Sequence, residues 1–388
     1  CQWCGTSASN WKCKHCGRSV AIFPYAAVTT QHTSNVQWLN REALLAKHDF
    51  TAGTRIPSTA VNLMLKALEK GPVLLSIPHD GLSESLCCVS CFKQARCMKC
   101  DGVLQKNTRS SVIQCQWCGT SASNWKCKHC GSERMKSLRV GASGTVQELR
   151  GLFRNIPIIV STPTAPQGVI TSIEKQSAIV VATVGSEPHI RTQDGTTGEY
   201  ACVAILDAWT SLYGIGVDSR NDILNAWMHV VSMCAPVSRA GVSLLIGETD
   251  TDMAHALLHW DGSYLAAKEL EERRQLGLPP ACAAARIWGE AKAVEELLAY
   301  IGARQNGKYA LLSTSQGDLP SVLGPVFVST HATPGMLDMQ VEQTVKAIVR
   351  VSVEQRDNLA KLLRNGVAKH MASRNAGELR FQLDPKDF

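Results

Sequence analysis

The sequence predicts a protein of the α/β class, with an inserted cysteine-rich region and a smaller α+β unit at its C-terminal end. Three observations support this prediction. Short apolar segments alternate with amphipathic helical segments, which is typical of a largely parallel sheet with helices on its faces. Four C-x2-C pairs interrupt this alternation between Cys88 and Cys130. A Gly-Leu-Pro-Pro stretch at residues 277–280 indicates the boundary of the last unit.

Composition is that of an ordinary globular protein. The 388 residues are 45% hydrophobic, enough for two or three domains with a sizeable core. The sequence has no run of about 18 apolar residues, so we predict no membrane span. The formal net charge of +7 falls to about +3 if two tetrathiolate zinc sites are counted, which weakly favours an acidic partner. Because the chain starts with Cys inside a motif, we expect it to be a fragment of a longer protein.

The N-terminal part shows little periodicity. Residues 1–17 repeat residues 115–131 without a single difference, which indicates a recent duplication or an artefact of sequence assembly. Residues 18–53 are predicted to form an irregular linker with a short helix near residues 38–47. The cysteines of the repeated segment either bind one zinc ion by themselves or, as we prefer, form half of a module without its partner: Cys1, Cys4, Cys13 and Cys16.

The parallel sheet is predicted in two parts that flank the cysteine-rich region at residues 87–135. Residues 54–86 form the first part, in which a helix capped by Ser58 or Thr59 precedes an apolar strand. Residues 136–278 form the remainder. The predicted strands are 73–77, 138–140, 157–160, 178–182, 203–206 and 242–246, and the predicted helices after the first are 143–153, 221–234, 252–260 and 263–275.

The last unit, residues 279–388, is predicted to be of a βαβ type, since helical and apolar segments alternate there as well. Its predicted strands are 284–288, 309–312, 322–328, 347–351 and 379–383, and its predicted helices are 291–303 and 354–370.

The cysteine array predicts two zinc sites. Two thiolates that are separated by two residues on a tight turn can occupy adjacent corners of one tetrahedral zinc ion, so four pairs supply the ligands of two ions. Disulfides are the alternative. The sequence preceding the array has no secretory signal, and in a reducing cytoplasm this spacing favours metal. The predicted ligands are Cys88, Cys91, Cys97, Cys100, Cys115, Cys118, Cys127 and Cys130.

Positive charge and aromatic rings are interleaved in the same stretch. The stretch from Cys87 to Arg139 contains ten Lys and Arg residues but two acidic residues. Cations and rings together suit phosphate contact and base stacking on single-stranded nucleic acid. The alternative is a solvated ribbon whose indoles cover the zinc sites, and for any single Trp we favour it. The candidates for nucleic-acid contact are Lys126, Lys128, Trp125 and Arg134.

Three other motifs are weaker. Residues 302–308 fit G-x4-G-K, but Tyr309 replaces the hydroxyl residue and the order of helix and strand is reversed, so we reject a phosphate loop. The carboxylates of residues 248–252 could bind Mg²⁺, but we favour a helix cap. Asp207 follows a strand, where α/β folds place ligand groups, without a second acidic residue nearby in sequence.

Several segments carry a resemblance beyond the cysteines. They are Gly-Pro-Val-Leu-Leu at 71–75, Val-Gly-Ala at 140–142, Ala-Ile-Leu-Asp-Ala-Trp at 204–209, Glu-Arg-Arg-Gln-Leu-Gly-Leu-Pro-Pro at 272–280, Leu-Gly-Pro-Val at 323–326 and Leu-Asp-Pro at 383–385. With the cysteine array, these segments make residues 54–388 resemble the C-terminal half of the primosomal replication-restart helicases (primosomal protein N′), most closely their actinobacterial branch.

The resemblance implies a RecA-like second helicase lobe with an inserted two-zinc region and a C-terminal DNA-binding domain at residues 279–388. It also implies a pairing, in which the outer cysteines bind one zinc ion (Cys88, Cys91, Cys127, Cys130) and the inner ones the other (Cys97, Cys100, Cys115, Cys118). Family members act at stalled forks, bind branched DNA and single-strand-binding protein, and recruit other replication-restart proteins. The resemblance further implies a bacterial, nucleoid-associated location.

Departures from the family pattern concern the motor. The first helicase lobe, with its phosphate loop and acidic box, has no counterpart in this sequence. Residues 182–188 lack the lysine of the family's G-T-Q-M-x2-K-G motif, and residues 230–240 keep only Arg239 of its arginine motif. We interpret Arg239 as a remnant of a nucleotide site. The actinobacterial branch is understood to lack detectable helicase motifs.

Three hypotheses follow. The leading one is a replication-restart protein without helicase activity, a monomeric scaffold on a degenerate RecA-like lobe that binds zinc and DNA. The second is an ATP-dependent 3′→5′ helicase whose ATP-binding lobe lies upstream of the sequence. The third is an unrelated zinc-ribbon module that binds RNA.

Overall fold

The computed structural model describes residues 33–78, 83–90, 95–99, 104–106, 112–115, 120–213, 218–327, 344–373 and 377–385. These residues divide into two units, a first within residues 1–213 and 222–262 and a second within residues 214–221 and 263–388. The second unit thus begins earlier in the chain than the boundary at residue 279 predicted from the sequence. In the described parts of the chain, every helix is too short or too polar to cross a membrane.

The strands, in chain order, have the following bounds: β1 Asn35–Leu39, β2 Val73–Ile77, β3 Ser83–Cys88, β4 Leu104–Lys106, β5 Ile113–Cys115, β6 Met135–Val140, β7 Ile158–Ser161, β8 Ser172–Glu174, β9 Ile179–Thr183, β10 His189–Arg191, β11 Thr197–Gly198, β12 Cys202–Ile205, β13 Val242–Ile246, β14 Ala283–Glu290, β15 Arg304–Gln305, β16 Lys308–Tyr309, β17 Leu311–Thr314, β18 Gly317–Pro320, β19 Val322–Phe327, β20 Thr344–Val351 and β21 Leu379–Leu383.

The α-helices are α1 Arg41–Ala46, α2 Ser58–Leu68, α3 Ala142–Leu152, α4 Ser219–Ser232, α5 Thr251–Leu258, α6 Gly262–Leu276, α7 Ala291–Tyr300 and α8 Arg356–Met371. Short 3-10 helices span Ala208–Tyr213, Val237–Arg239 and Val353–Gln355.

The first unit is built on a six-stranded sheet in the order β1-β13-β12-β2-β9-β7, and all neighbouring strands are parallel. Every residue of β2, β9 and β12 is buried, because central strands of a parallel sheet are covered on both faces. Met64 of α2 and Leu149 of α3 belong to the core of this sheet. The structure thus confirms a mixed α/β architecture with a parallel sheet.

The short helix predicted near residues 38–47 is present as α1, but the residues before it form a strand and not the irregular linker predicted for residues 18–53. Strand β1 pairs in parallel with β13 and extends the sheet, and α1 follows it. The side chain of Asn40 caps α1 by accepting the N–H of Ala43 at 2.7 Å. Only Leu39 of β1 is fully buried, because the strand lies at the edge of the sheet, and this weakens the apolar pattern in the sequence. Residues 1–32, including the repeated motif, lie outside the described residues.

The cap of α2 differs from the sequence prediction. Its N-cap residue is Pro57, whose side chain makes no capping hydrogen bond. The carboxylate of Asp49 caps the first turn instead. Asp49 accepts the N–H of Thr59 at 2.8 Å and the hydroxyl of Ser58 at 2.9 Å. Burial raises the pKa of Asp49, but hydrogen bonds from Thr51 and Thr59 outweigh this effect. The net result is a pKa well below the usual range of a carboxyl group.

The second unit contains a four-stranded sheet in the order β19-β20-β14-β21, and its neighbouring strands are antiparallel. The chain order of strand, helix, two strands, helix and strand is that of a split βαβ arrangement. The βαβ-type unit predicted from the sequence is therefore present in this split form, with antiparallel neighbours. The rejected phosphate loop is a hairpin of β15 and β16, whose turn residues Asn306 and Gly307 both have positive φ.

Candidate metal centre

Two short antiparallel ladders frame the cysteine-rich region. Strands β3 and β6 pair from Ser83 opposite Val140 to Cys88 opposite Met135, so the chain leaves and re-enters this region at neighbouring points. The ladder continues past its last pair, because the N–H of Val89 donates to the carbonyl of Arg134 at 3.0 Å. Strands β4 and β5 form the second ladder. Cysteines that are far apart in the chain are thereby brought close together.

Three thiols converge where β3 ends. The sulfur atoms of Cys88, Cys127 and Cys130 all lie within 4.8 Å of one another. Cys88 and Cys130 are 3.5 Å apart, far more than the roughly 2.05 Å of a disulfide bond. Zn–S bonds of about 2.3 Å at tetrahedral angles place two sulfur atoms about 3.8 Å apart. This cluster therefore fits a zinc ion, for which Cys91, outside the described residues, is the fourth predicted ligand.

Backbone N–H groups point at the first sulfur atom of two C-x2-C pairs. Ser90 N–H lies 3.4 Å from Cys88 Sγ, and Lys99 N–H lies 3.4 Å from Cys97 Sγ. A hydrogen bond of this kind stabilises the charged thiolate over the thiol, because the N–H dipole faces the negative charge. The local backbone thus favours the form of cysteine that binds metal.

The other two C-x2-C pairs share a different backbone feature. The N–H of Cys127 donates to the carbonyl of Ser132 at 2.8 Å, and the N–H of Cys115 donates to the carbonyl of Thr120 at 2.9 Å. In each case the first cysteine of a C-x2-C-Gly stretch bonds to the residue five positions later. After the second pair, Gly131 has a φ of 73°, a conformation that other residues rarely adopt. The same hydrogen bond thus follows the first cysteine of both pairs.

The inner cysteines are described in part. Cys97 and Cys115 are each 2% exposed and belong to the buried core of the region, together with Leu86 and Leu104. Their predicted partners, Cys100 and Cys118, lie outside the described residues. The second zinc site therefore stays a prediction.

Trp125 is not positioned to stack on a base. Its side chain is 4% exposed and packs in the same core, and its indole N–H donates to the carbonyl of Arg96 at 2.8 Å. Of the two alternatives weighed from the sequence, the structure matches the one in which an indole covers the cysteines. The assignment of Trp125 to nucleic-acid contact is therefore corrected.

The cationic candidates lie on the surface. Lys126 Nζ donates to Glu133 Oε1 at 2.9 Å, and this hydrogen bond raises the pKa of Lys126 and lowers that of Glu133. Both side chains are largely exposed, so the pair adds little to stability. Lys128 and Arg134 are also exposed. These three cations are therefore accessible to an anionic partner.

Arg239, which the sequence suggested as a remnant of a nucleotide site, is paired with a carboxylate. Arg239 ends a 3-10 helix and forms an ion pair with Glu199 at 2.6 Å while most of its side chain is exposed. Glu187 lies in the loop after β9, within the stretch 182–188 that lacks the family's lysine. Burial raises the pKa of Glu187. A carboxyl group in this loop is ill suited to a triphosphate.

Asp207, which the sequence suggested as a ligand group, is part of a buried ion-pair network. Arg55 donates from Nε to Asp207 Oδ1 at 2.9 Å and from Nη2 to Oδ2 at 2.6 Å. The same guanidinium donates to Glu148 at 3.1 Å and to the hydroxyl of Thr145 at 2.9 Å. The network ties the segment before α2 to the end of β12 and to α3. No signal in the sequence identified Arg55, because its partners are distant in the chain.

The acidic cluster after β13 caps a helix, as the sequence indicated. Asp250 is the N-cap residue of α5, and its carboxylate accepts the N–H groups of Asp252 at 3.0 Å and Met253 at 3.1 Å. Glu248 accepts the N–H of Arg41 at 2.9 Å. The capping interpretation is confirmed.

Comparison with known proteins finds relatives over most of the chain. Residues 274–386 match the family described as primosomal protein N C-terminal domain. The chain is 30% identical over 333 residues to the probable replication restart protein PriA of Mycobacterium leprae, which covers 85% of this chain and 48% of that protein. It is also 30% identical over 336 residues to the protein of the same name from Mycobacterium tuberculosis, again covering 85% and 48%. The chain thus spans about half the length of these relatives.

Proposed function

The chain belongs to the family of replication restart proteins PriA, and we propose from this that it takes part in DNA replication restart as a protein that binds zinc and DNA and has no helicase activity. The resemblance predicted from the sequence is confirmed. The observation that carries the proposal is the combination of this similarity with the cysteine cluster at Cys88, Cys127 and Cys130.

Zinc would be bound by the eight predicted cysteines in two sites, outer and inner. The spacing of the three converging sulfur atoms and the N–H groups aimed at Cys88 and Cys97 support this assignment. Each bound zinc ion would supply four bonds that cross-link the loops, and no reaction chemistry. The chain's own contribution is to bring the thiols together through the β3–β6 ladder.

DNA contact is proposed for the exposed cations of the cysteine-rich region, Lys126, Lys128 and Arg134. Their charge suits phosphate groups, and such contacts release counterions, which makes binding sensitive to salt. The partners proposed by family resemblance are forked or single-stranded DNA, single-strand-binding protein and other replication-restart proteins. By the same resemblance we propose a bacterial cytoplasmic location, near the nucleoid, and a monomer built on a degenerate RecA-like lobe.

The absence of a motor is supported by the residues at the matching places. ATP hydrolysis by helicases needs arginines that stabilise the transferring phosphoryl group. Here Arg239 pairs with Glu199, and residues 182–188 contain no lysine. The alternative is a helicase whose ATP-binding lobe lies upstream of the sequence.

ATP hydrolysis in the presence of forked DNA separates these two functions. We expect the chain, and any longer form of the protein, to bind the fork and to release no phosphate above background. Fork-dependent phosphate release that Arg239→Ala abolishes would contradict the proposal and support the helicase. A chain that shows no affinity for forked or single-stranded DNA at low salt would remove the basis for a role at forks altogether.

A further inference from the structure

Two histidines lie one turn apart on the exposed side of α5. His255 and His259 are both exposed, whereas Met253, Ala256 and Leu257 of the same segment are buried. Positions four residues apart share one face of a helix. The centroids of the two imidazole rings are 4.3 Å apart, and the ring planes are inclined by 42°. The segment thus presents two imidazoles side by side to solvent.

The backbone beneath these rings is held by hydrogen bonds. The N–H of His259 donates to the carbonyl of His255 at 3.0 Å, which closes the helical turn between them. The next two N–H groups, of Trp260 and Asp261, donate back to carbonyls of the helix at 3.2 Å and 2.8 Å. This pair of bonds forms a Schellman motif, in which Trp260 has a positive φ of 56° and a buried side chain. The spacing of the two histidines is therefore set by backbone that is already in place.

The charge around the two rings favours a cation. Residues 248–261 contain four carboxylates and no Lys or Arg. One of them, Asp252, lies three positions before His255 and so on the same helix face. The C-terminal end of a helix also carries a partial negative charge, which attracts cations. Two protonated imidazoles this close would repel each other, so one shared cation suits the pair better than two protons.

Imidazole nitrogen selects a particular class of metal ions. Zinc, nickel and copper bind it well, whereas magnesium and calcium prefer oxygen ligands. Two rings that share one ion through bonds of about 2.0–2.1 Å have centroids roughly 4.5–5 Å apart, so small side-chain rotations suffice here. The His-x3-His spacing is that of the two zinc ligands in H-E-x2-H enzymes, but Ala256 stands where those enzymes have their catalytic glutamate. The pair therefore fits metal binding without hydrolytic chemistry.

We propose that His255 and His259 bind one divalent transition metal ion of the zinc, nickel and copper class, through one nitrogen of each ring. Water would complete the coordination. The site lies outside the cysteine-rich region and does not depend on the proposed function. Two linked ligands bind an ion less tightly than four, because each linked ligand adds to the affinity. This ion should therefore add to the two predicted zinc ions only when metal is supplied in the buffer.

Calorimetric titration of the zinc-loaded full chain with NiCl2 tests the site, because zinc then already occupies the cysteines. We expect His255→Ala and His259→Ala each to weaken nickel binding at least about tenfold, since the second of two linked ligands binds intramolecularly. His229→Ala is the matched control and should leave the affinity within twofold. His229 is exposed on α4 and has no other histidine within four positions. Wild-type chain that binds no nickel, or binds it no more tightly than the double variant, would overturn the proposal.

Chemical labelling locates the ion in the wild-type chain and so does not depend on the folding of a variant. Diethyl pyrocarbonate acylates imidazole nitrogens that are not bound to metal, and mass spectrometry identifies the labelled residues. NiCl2 should slow the labelling of His255 and His259 several-fold and leave that of His229 unchanged. MgCl2 should protect none of them, because magnesium prefers oxygen ligands. Equal protection of His229 by nickel, or protection of the pair by magnesium, would show that the two imidazoles are not the ligands.

Discussion

The cysteine-rich region and the second unit have cores of different composition. Among the described residues, four of the eight core side chains of the cysteine-rich region are cysteines: Cys88, Cys97, Cys115 and Cys127. The core around α7 and α8 has fourteen members, and all of them are Ala, Val, Leu or Ile. Burial of aliphatic groups stabilises a fold by about 25 cal/mol per Å² without any ligand. A core that is half thiol has far less of this stabilisation.

This difference indicates that the two regions depend on different interactions. In the second unit, two helices cover a four-stranded sheet, which suffices for a hydrophobic core. In the cysteine-rich region, short two-stranded ladders carry few apolar side chains, and such ladders are marginal by themselves. Zinc would replace the missing apolar contacts with bonds between loops. The comparison can be tested by removing one interaction at a time.

Metal removal should have the largest effect. Structural zinc contributes about 10–16 kcal/mol to the folding of small zinc domains. We therefore expect a strong chelator to abolish hydrogen-exchange protection in residues 87–135 and to leave β14, β20 and α8 protected. Native mass spectrometry of the untreated chain should show two zinc ions.

A single ligand change sharpens this expectation. Cys97→Ser removes a ligand of the inner site, so one zinc ion should be lost and the other retained. Cys282→Ser, outside the cysteine-rich region, is the matched control and should leave two ions bound. Finding disulfides in place of metal, or protection that survives chelation, would contradict the comparison.

A core substitution in the second unit should lower the stability of that unit but leave metal binding intact. Leu363 of α8 is fully buried in the aliphatic core. Leu363→Ala should lower the free energy of unfolding of this unit by about 2–5 kcal/mol, because a cavity replaces apolar contacts. Zinc content should not change. Lys361→Ala on the exposed side of the same helix serves as control, and a comparable loss for both variants would show that packing is not the cause.

Thiol chemistry offers a third contrast. Burial raises the pKa of Cys282 to about 11, although the nearby Arg350 opposes this. At pH 8 only about one in a thousand Cys282 side chains is then a thiolate, the form that reacts. After chelation we expect iodoacetamide to label the cysteines of the cysteine-rich region about a hundredfold faster than Cys282, read by mass spectrometry. Equal rates would mean that Cys282 is not shielded in solution.

Much of the fold could be predicted because its central strands are unbroken apolar runs. Strands β2, β9 and β12 are buried throughout, and the sequence alone located them to within a residue or so. Edge strand β1 was missed because only Leu39 is fully buried. Strand pairing in the second unit could not be predicted, since the spacing of apolar residues says nothing about which strands pair.

The candidate sites show the same limit. The C-x2-C spacing is local, so the sequence alone could suggest the ligands. The burial of Trp125 depends on Arg96, Leu86 and other residues outside its own segment. Strands β14, β20 and β21 are neighbours in one sheet although they are far apart in the chain. Contacts between distant segments are what the sequence pattern does not contain.

The smallest predicted effect concerns charge on the cysteine-rich region. Because Trp125 is buried, the cysteine-rich region presents exposed cations without an exposed ring at that position. Reversing Lys126 and Lys128 to Glu should weaken binding about fivefold for all sequences alike and lower the salt dependence by about two counterions. Lys292→Glu with Lys361→Glu, exposed on α7 and α8, makes the same change of charge elsewhere. In anisotropy titrations with forked DNA, the Lys126/Lys128 variant should bind more weakly than the Lys292/Lys361 variant. Equal losses of affinity would mean that only the net charge of the chain matters.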